Sequence, residues 1–188
     1  MQNVELFYSL SVTNPDGIIS YNSNRRPAHS FLKQFLQLIF NLYWSEETPT
    51  SITQISGAAT TTLSDMTLDT TATTGQSGFG IQVGTGTGAE SINDTALQTQ
   101  IAHGTSAGEL QYGTLTYAAP STTATTTTFR FTRVFTNGSG GTVTVQEIGL
   151  ASGDNSTNNF LWIRDLTGEV AVADGQQLTV NYDLTTTI

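Results

Sequence analysis

Apolar residues occupy every second position at Val4, Leu6, Tyr8, Leu10 and Val12, with Glu5, Ser9 and Ser11 between them. A period of two marks a strand with one buried face, because successive side chains leave a strand on opposite sides. The alternation returns near the far end, in Leu178, Val180 and Tyr182. One stretch breaks the rule. Phe31, Leu32, Phe35, Leu36, Ile39 and Tyr43 recur at three and four, while Lys33, Gln34, Gln37 and Asn41 share the remaining narrow stripe. That spacing predicts a single helix of about 14 residues, Phe31 to Trp44, buried on most of its circumference.

Turn residues divide the rest. Asn14-Pro15-Asp16-Gly17 reads as a tight turn leading into a return strand from Ile18 to Tyr21, since Pro presets φ, Asp bonds its own backbone and Gly accepts positive φ. Residues 51–77 are rich in Thr, Ser and Ala and read as weak strands or an extended arm. Beyond Gly78 come short strand-like runs: Phe79 to Val83, Leu110 to Tyr117, Thr127 to Phe135, Thr142 to Leu150, Phe160 to Ile163, Glu169 to Ala173 and Leu178 to Asp183. Thr136 to Gly141 and Ser152 to Ser156 read as hairpin tips, and Thr95 to Ala102 as a short helix capped by Asp94. The expected fold is mainly β, an antiparallel β-sandwich of jelly-roll-like form with one apolar N-terminal α-helix. Its parts are a hairpin and helix over 1–50, packed on or beside the sandwich, a Thr-rich segment over 51–77, and the sandwich module over 78–188.

Threonine supplies 35 of the 188 residues, and charged side chains only 11%. The polar surface is therefore built of hydroxyls on β-branched stems, where most soluble proteins use Lys and Glu. One lysine, five arginines and a net charge of −9 leave no basic stripe for phosphates, which argues against nucleic acid and anionic lipid as partners. With no cysteine there is neither disulfide nor thiolate metal site. The longest apolar run, Phe31 to Trp44, falls short of the ~20 residues of a membrane span, and no secretory leader is visible in the first twenty residues.

Several motifs imitate chemistry. Gly84-Thr85-Gly86-Thr87-Gly88 follows a strand as a dinucleotide loop would, but Glu90 to Asn93 separate it from the expected helix, whose amides would have to meet the phosphates directly. Gly104-Thr105-Ser106-Ala107-Gly108 spells a nucleophile elbow beside His103, yet what precedes it reads as helix where an elbow needs a strand, and nothing places His29 near Ser106. Asp154-Asn155 and the dispersed Asp165, Glu169 and Asp174 lack the spacing of a calcium loop. Trp44 and Trp162 lie in apolar surroundings that favour core or subunit contact over sugar stacking. Arg133, set among Phe129, Phe131 and Phe135, calls for a buried acidic partner, and Glu147 is the candidate because it takes a position where the Val143/Val145 alternation expects an apolar side chain. No catalytic group, cofactor or metal site is expected.

The order Gly80-Ile81-Gln82-Val83-Gly84-Thr85-Gly86, Asp94-Thr95-Ala96-Leu97, Arg133-Val134-Phe135-Thr136-Asn137 and Glu147-Ile148-Gly149-Leu150 resembles a module of structural proteins of tailed bacteriophages, including tail-collar fibre proteins. The resemblance spans roughly 78–183. It implies a non-enzymatic virion component that forms homo-oligomers and binds other virion proteins, with tail, collar and capsid-surface positions all open. The alternative is a virion protein that binds a host-surface glycan or receptor through the loops 137–141 and 155–159. In either case the apolar helix suits contact between copies, with Phe31, Phe35, Leu36, Ile39, Phe40 and Trp44 as expected interface residues.

Overall fold

The computed structural model describes residues 3–28, 31–43, 51–60, 69–153 and 158–188. The described residues are mainly β, with antiparallel sheets and one helix among them. Strand β1 (Asn3–Thr13) turns at Asn14–Gly17, where Gly17 takes φ +85° and Asp16 Oδ1 accepts the Ile18 N–H at 2.9 Å, and returns as β2 (Ile19–Asn22). After β3 (Arg26–Pro27) come helix α1 (Lys33–Tyr43) and the small hairpin of β4 (Ile52–Thr53) and β5 (Ala59–Thr60). The remaining strands are β6 (Gly80–Gly84), β7 (Gln111–Tyr112), β8 (Thr116–Thr122), β9 (Thr126–Thr136), β10 (Val143–Gly153), β11 (Asn159–Val172) and β12 (Gln177–Thr187).

Seven strands form one sheet in the order β2-β1-β12-β9-β7, with β3 also on β1 and β8 also on β9; β11-β10-β6 form a second. The first and last long strands are neighbours, paired from Asn3↔Thr187 to Thr13↔Gln177. The expected boundary at residue 78 therefore cuts across a sheet to which the N-terminal strand belongs. Alternation on β1 and β12 sends Leu6, Tyr8, Leu10, Val12, Leu178, Val180 and Tyr182 inward, where they share one core with Ile81, Val83, Val145, Ile148, Leu150, Ile163, Val170 and Val172 of the smaller sheet. Burial of such side chains contributes about 1.5–3 kcal/mol each, so this shared layer holds the two sheets together.

Three local expectations are corrected. Thr136 to Gly141 is not a hairpin tip, because β9 and β10 belong to different sheets. The segment is a corner held by buried Asn137, whose Nδ2 donates to Gly141 O and Val172 O at 2.8 and 2.7 Å while Oδ1 accepts the Ser139 N–H. Thr95 to Ala102 is not helical but an irregular, bent segment beside β6, with Thr85 N–H donating to Thr99 O and Ile101 N–H to Val83 O. The two runs expected at 160–163 and 169–173 join in one strand, β11, whose pairing with β10 shifts register twice, once opposite Gly168, which takes φ +71°, and once between Leu150 and Ala151.

Candidate functional site

Glu147 and Arg133, both singled out by sequence, lie in two separate buried guanidinium centres, and a third polar region, an open sheet face, was not singled out. Glu147 reaches the first centre at the register shift where Val145 pairs with Val170 and Glu147 with Leu166, so that Gln146 alone on β10 stands opposite Thr167 to Glu169 on β11. The phase of β10 changes there: Val143, Val145, Ile148 and Leu150 face the shared core, whereas Glu147 turns to the loop 84–99 on the other side. Its carboxylate is fully buried. Oε1 accepts the Gly86 and Thr99 N–H groups at 3.0 and 2.8 Å, and Oε2 accepts the Gln98 N–H at 3.0 Å and Arg164 Nε at 2.7 Å. Arg164 also donates to Asp94 Oδ2 at 2.9 Å and Gly88 O at 2.9 Å. The glycines are required by proximity: a Cβ on Gly84 would stand 2.5 Å from Glu147 Oε1, and one on Gly86 closer still. Burial lowers the Arg164 pKa, but the hydrogen bonds and charges of Glu147 and Asp94 outweigh it and leave the group raised.

Arg133 does not pair with Glu147. It lies on the seven-stranded sheet, fully buried, and donates to five backbone carbonyls: Gly113 O at 2.8 Å, Phe79 O at 3.1 Å, Ile81 O at 2.9 Å, Thr73 O at 3.3 Å and Gln76 O. Its guanidinium carbon is 4.9 Å from the Tyr112 ring centre. Burial lowers its pKa to about 10, still cationic at neutral pH. The sequence suggests a counter-ion; the cation is solvated instead by carbonyl dipoles of Gly113, of the segment 73–79 and of Ile81 on β6.

The third region is the outer face of β1, β12 and β9, laid out in cross-strand rows. Thr132 Oγ1 donates to Asn181 Oδ1 at 2.7 Å, and Asn181 Nδ2 to Ser9 Oγ at 3.3 Å. In the next row Arg130 makes a two-pronged bond to Asp183, at 2.6 and 2.8 Å, while Arg25 stacks 3.4 Å over the Phe7 ring and donates to Thr185 Oγ1 at 2.9 Å. The Thr185 and Thr128 hydroxyls lie 2.9 Å apart. The Asp183 bond raises the Arg130 pKa.

The helix divides the expected interface set. Leu32, Gln34 and Leu38 are buried inward, Phe31 stacks on Phe35 at 4.5 Å, and Phe35 packs 5.8 Å from Trp162. Ile39 is half-buried; Leu36 and Phe40 stay 66% and 50% exposed, so the helix is not enclosed on most sides as expected. Trp44 lies outside the described residues. Gln34, expected on the solvated stripe, is buried, and among the described residues neither of its amide atoms has a hydrogen-bond partner.

The imitations resolve into structure. His103 Nδ1 accepts the Tyr112 N–H at 3.0 Å, and the Ser106 N–H donates to Glu109 Oε2 at 2.8 Å in a turn; His29 lies outside the described residues. Trp162 is core, its Nε1 donating to Ser152 Oγ at 2.6 Å. Asp165 is buried and accepts the Tyr182 hydroxyl at 3.1 Å, and Asp174 receives the Gly140 N–H. Asp154 and Asn155 lie outside the described residues. Among the described residues no three His, Cys, Asp or Glu side chains gather to hold a metal, and no helix is long and apolar enough to cross a membrane. Comparison with family models, with curated proteins and with solved structures finds no match for the chain.

Proposed function

We propose that the two sheets close as a β-sandwich of jelly-roll type, and that the chain is a non-enzymatic structural protein of a tailed virus particle which associates with itself and with other virion proteins. The single observation that carries this reading is the outer sheet face. Its threonine, serine and asparagine side chains are short and already bonded across strands, so a partner settling on them freezes few rotamers, whereas an ordinary Lys/Glu surface would lose about 0.5–1.5 kcal/mol per immobilised side chain. Leu36 and Phe40 add an exposed apolar pair at the i, i+4 spacing of one helix face. The residues behind the phage resemblance support it differently: Gly86, Glu147 and Arg133 are occupied in binding loops to strands.

The test is the solution mass of a Leu36→Asp/Phe40→Asp variant. Both positions are exposed, so the fold should survive, as checked by circular dichroism. The expected result is a wild-type oligomer and a variant reduced to the 20.0 kDa of one chain. A folded variant that keeps the wild-type mass removes the helix from the interface.

A further inference from the structure

Beyond the structural role, we propose that the cleft between β8, the outer half of β9 and residues 69–71 binds a quaternary ammonium group. The cleft holds about 450 Å³ and is lined by Asp69, Thr70, Thr71, Tyr117, Ala118, Ala119, Pro120, Phe129 and Phe131, within the size range of small-molecule sites. It exists because β9 outruns its cover. Arg133 and Phe135 sit under the second sheet and are fully buried, but Phe131 and Phe129, two and four positions before Arg133 on the same face, are only half-buried. They meet edge to face at 5.1 Å, and Tyr117, the cross-strand neighbour of Phe131, is 63% exposed. The register shift between Ala118 and Ser121 raises Ala119 and Pro120 into the rim. Three aromatic rings left in contact with water on one wall are a costly arrangement unless something covers them.

Charge decides what. Asp69 is half-buried, its Oδ1 accepts the Thr71 N–H at 2.7 Å, and among the described residues no Lys, Arg or His comes within ion-pair distance of it. The chain as a whole carries −9. A carboxylate beside aromatic rings attracts a cation through both the charge and the ring quadrupoles. The walls then select among cations: Ala118, Ala119, Pro120 and the rings offer a primary ammonium few acceptors for its three N–H donors, whereas a methylated ammonium is weakly hydrated and presents only methyl groups.

Titration of the full chain with choline chloride, followed by NMR shifts of the aromatic rings at constant ionic strength, tests the site against two neutral probes. One is 3,3-dimethylbutan-1-ol, which has the shape of choline without its charge; the other is methyl α-glucoside. Saturable choline binding is expected, roughly tenfold weaker for the neutral isostere and weakened to a similar degree by Asp69→Asn or Tyr117→Ala. Asp69→Asn retains the acceptor for Thr71, so folding is preserved. Equal binding of the isostere, glucoside binding in place of choline, no saturable shift, or choline binding untouched by both variants overturns the proposal. None of these outcomes bears on self-association, so the structural reading stands or falls separately.

Discussion

Arg133 and Arg164 are both buried and both fasten an irregular loop to a strand, yet they are stabilised in opposite ways. Arg164 faces two carboxylates and keeps its charge more firmly than in water; Arg133 has only carbonyl oxygens and is lowered to about 10. A buried cation thus needs ligands for its donors more than it needs a counter-ion. In the first centre the charge is matched and the loop 84–99 contributes amides to the carboxylate. In the second, the loop 73–81 contributes carbonyls to the guanidinium, and the loop's own backbone acceptors are satisfied in the same act.

Breaking the matched centre has the largest expected effect. Glu147→Ala leaves Arg164 short of a counter-ion and three amides unbonded, a loss of about 4–5 kcal/mol measurable by urea unfolding. Pairing it with Arg164→Met should recover part of that loss, because the stranded cation is gone, and a double-mutant cycle reads the coupling. Arg133→Met should cost about 3 kcal/mol, through five carbonyls stripped of their donors. It has no carboxylate partner whose removal restores the balance. Equal losses in the two single variants would erase the distinction between the centres.

Gln34 supplies the contrasting case of a buried polar group with nothing bonded to it among the described residues. Gln34→Leu should stabilise the fold by about 1–2 kcal/mol, seen as a raised urea midpoint at unchanged slope. A loss would mean that the amide is satisfied in solution.

The smallest effect is a tilt with pH. Burial raises the tyrosines Tyr8, Tyr112 and Tyr182 above their ordinary 10.0, so the folded chain retains protons that the unfolded chain releases. Stability from these groups is complete below pH 10 and declines as pH rises through the folded values. Arg133 tilts the other way from about pH 10 up to the ordinary arginine range, where the unfolded chain binds the extra proton. In Arg133→Met the decline above pH 10 should therefore be steeper than in the wild type. Absorbance at 295 nm should show the three tyrosines ionising only as the fold opens.

Much of this architecture was legible in the sequence. Alternation located β1 and β12 because each buries a single face, and the three-and-four spacing located α1. Pairing between distant strands was not legible. Thr136 to Gly141 carries every sign of a hairpin tip, and only the sheet to which β10 belongs shows that it is a corner. Strand β11 reads as two in sequence because Arg164, Asp165, Thr167 and Gly168 interrupt its apolar pattern, and the first three are polar side chains buried in the fold. The oddity of Glu147 among valines was visible, but its partner was not: the register shift at which its direction reverses takes its extra residues, Thr167 to Glu169, from β11, a pairing that the local pattern of β10 does not show. On the helix, the spacing suggested burial on most of the circumference with Gln34 on the narrow polar stripe, whereas Gln34 lies inward and Leu36 and Phe40 are at the surface.

The account rests on a surface made to meet other protein, and sedimentation equilibrium of the purified wild-type chain over a wide concentration range tests that most directly. It predicts a mass that is a multiple of 20.0 kDa and persists on dilution to the micromolar range. A single 20.0 kDa species at every concentration would contradict it.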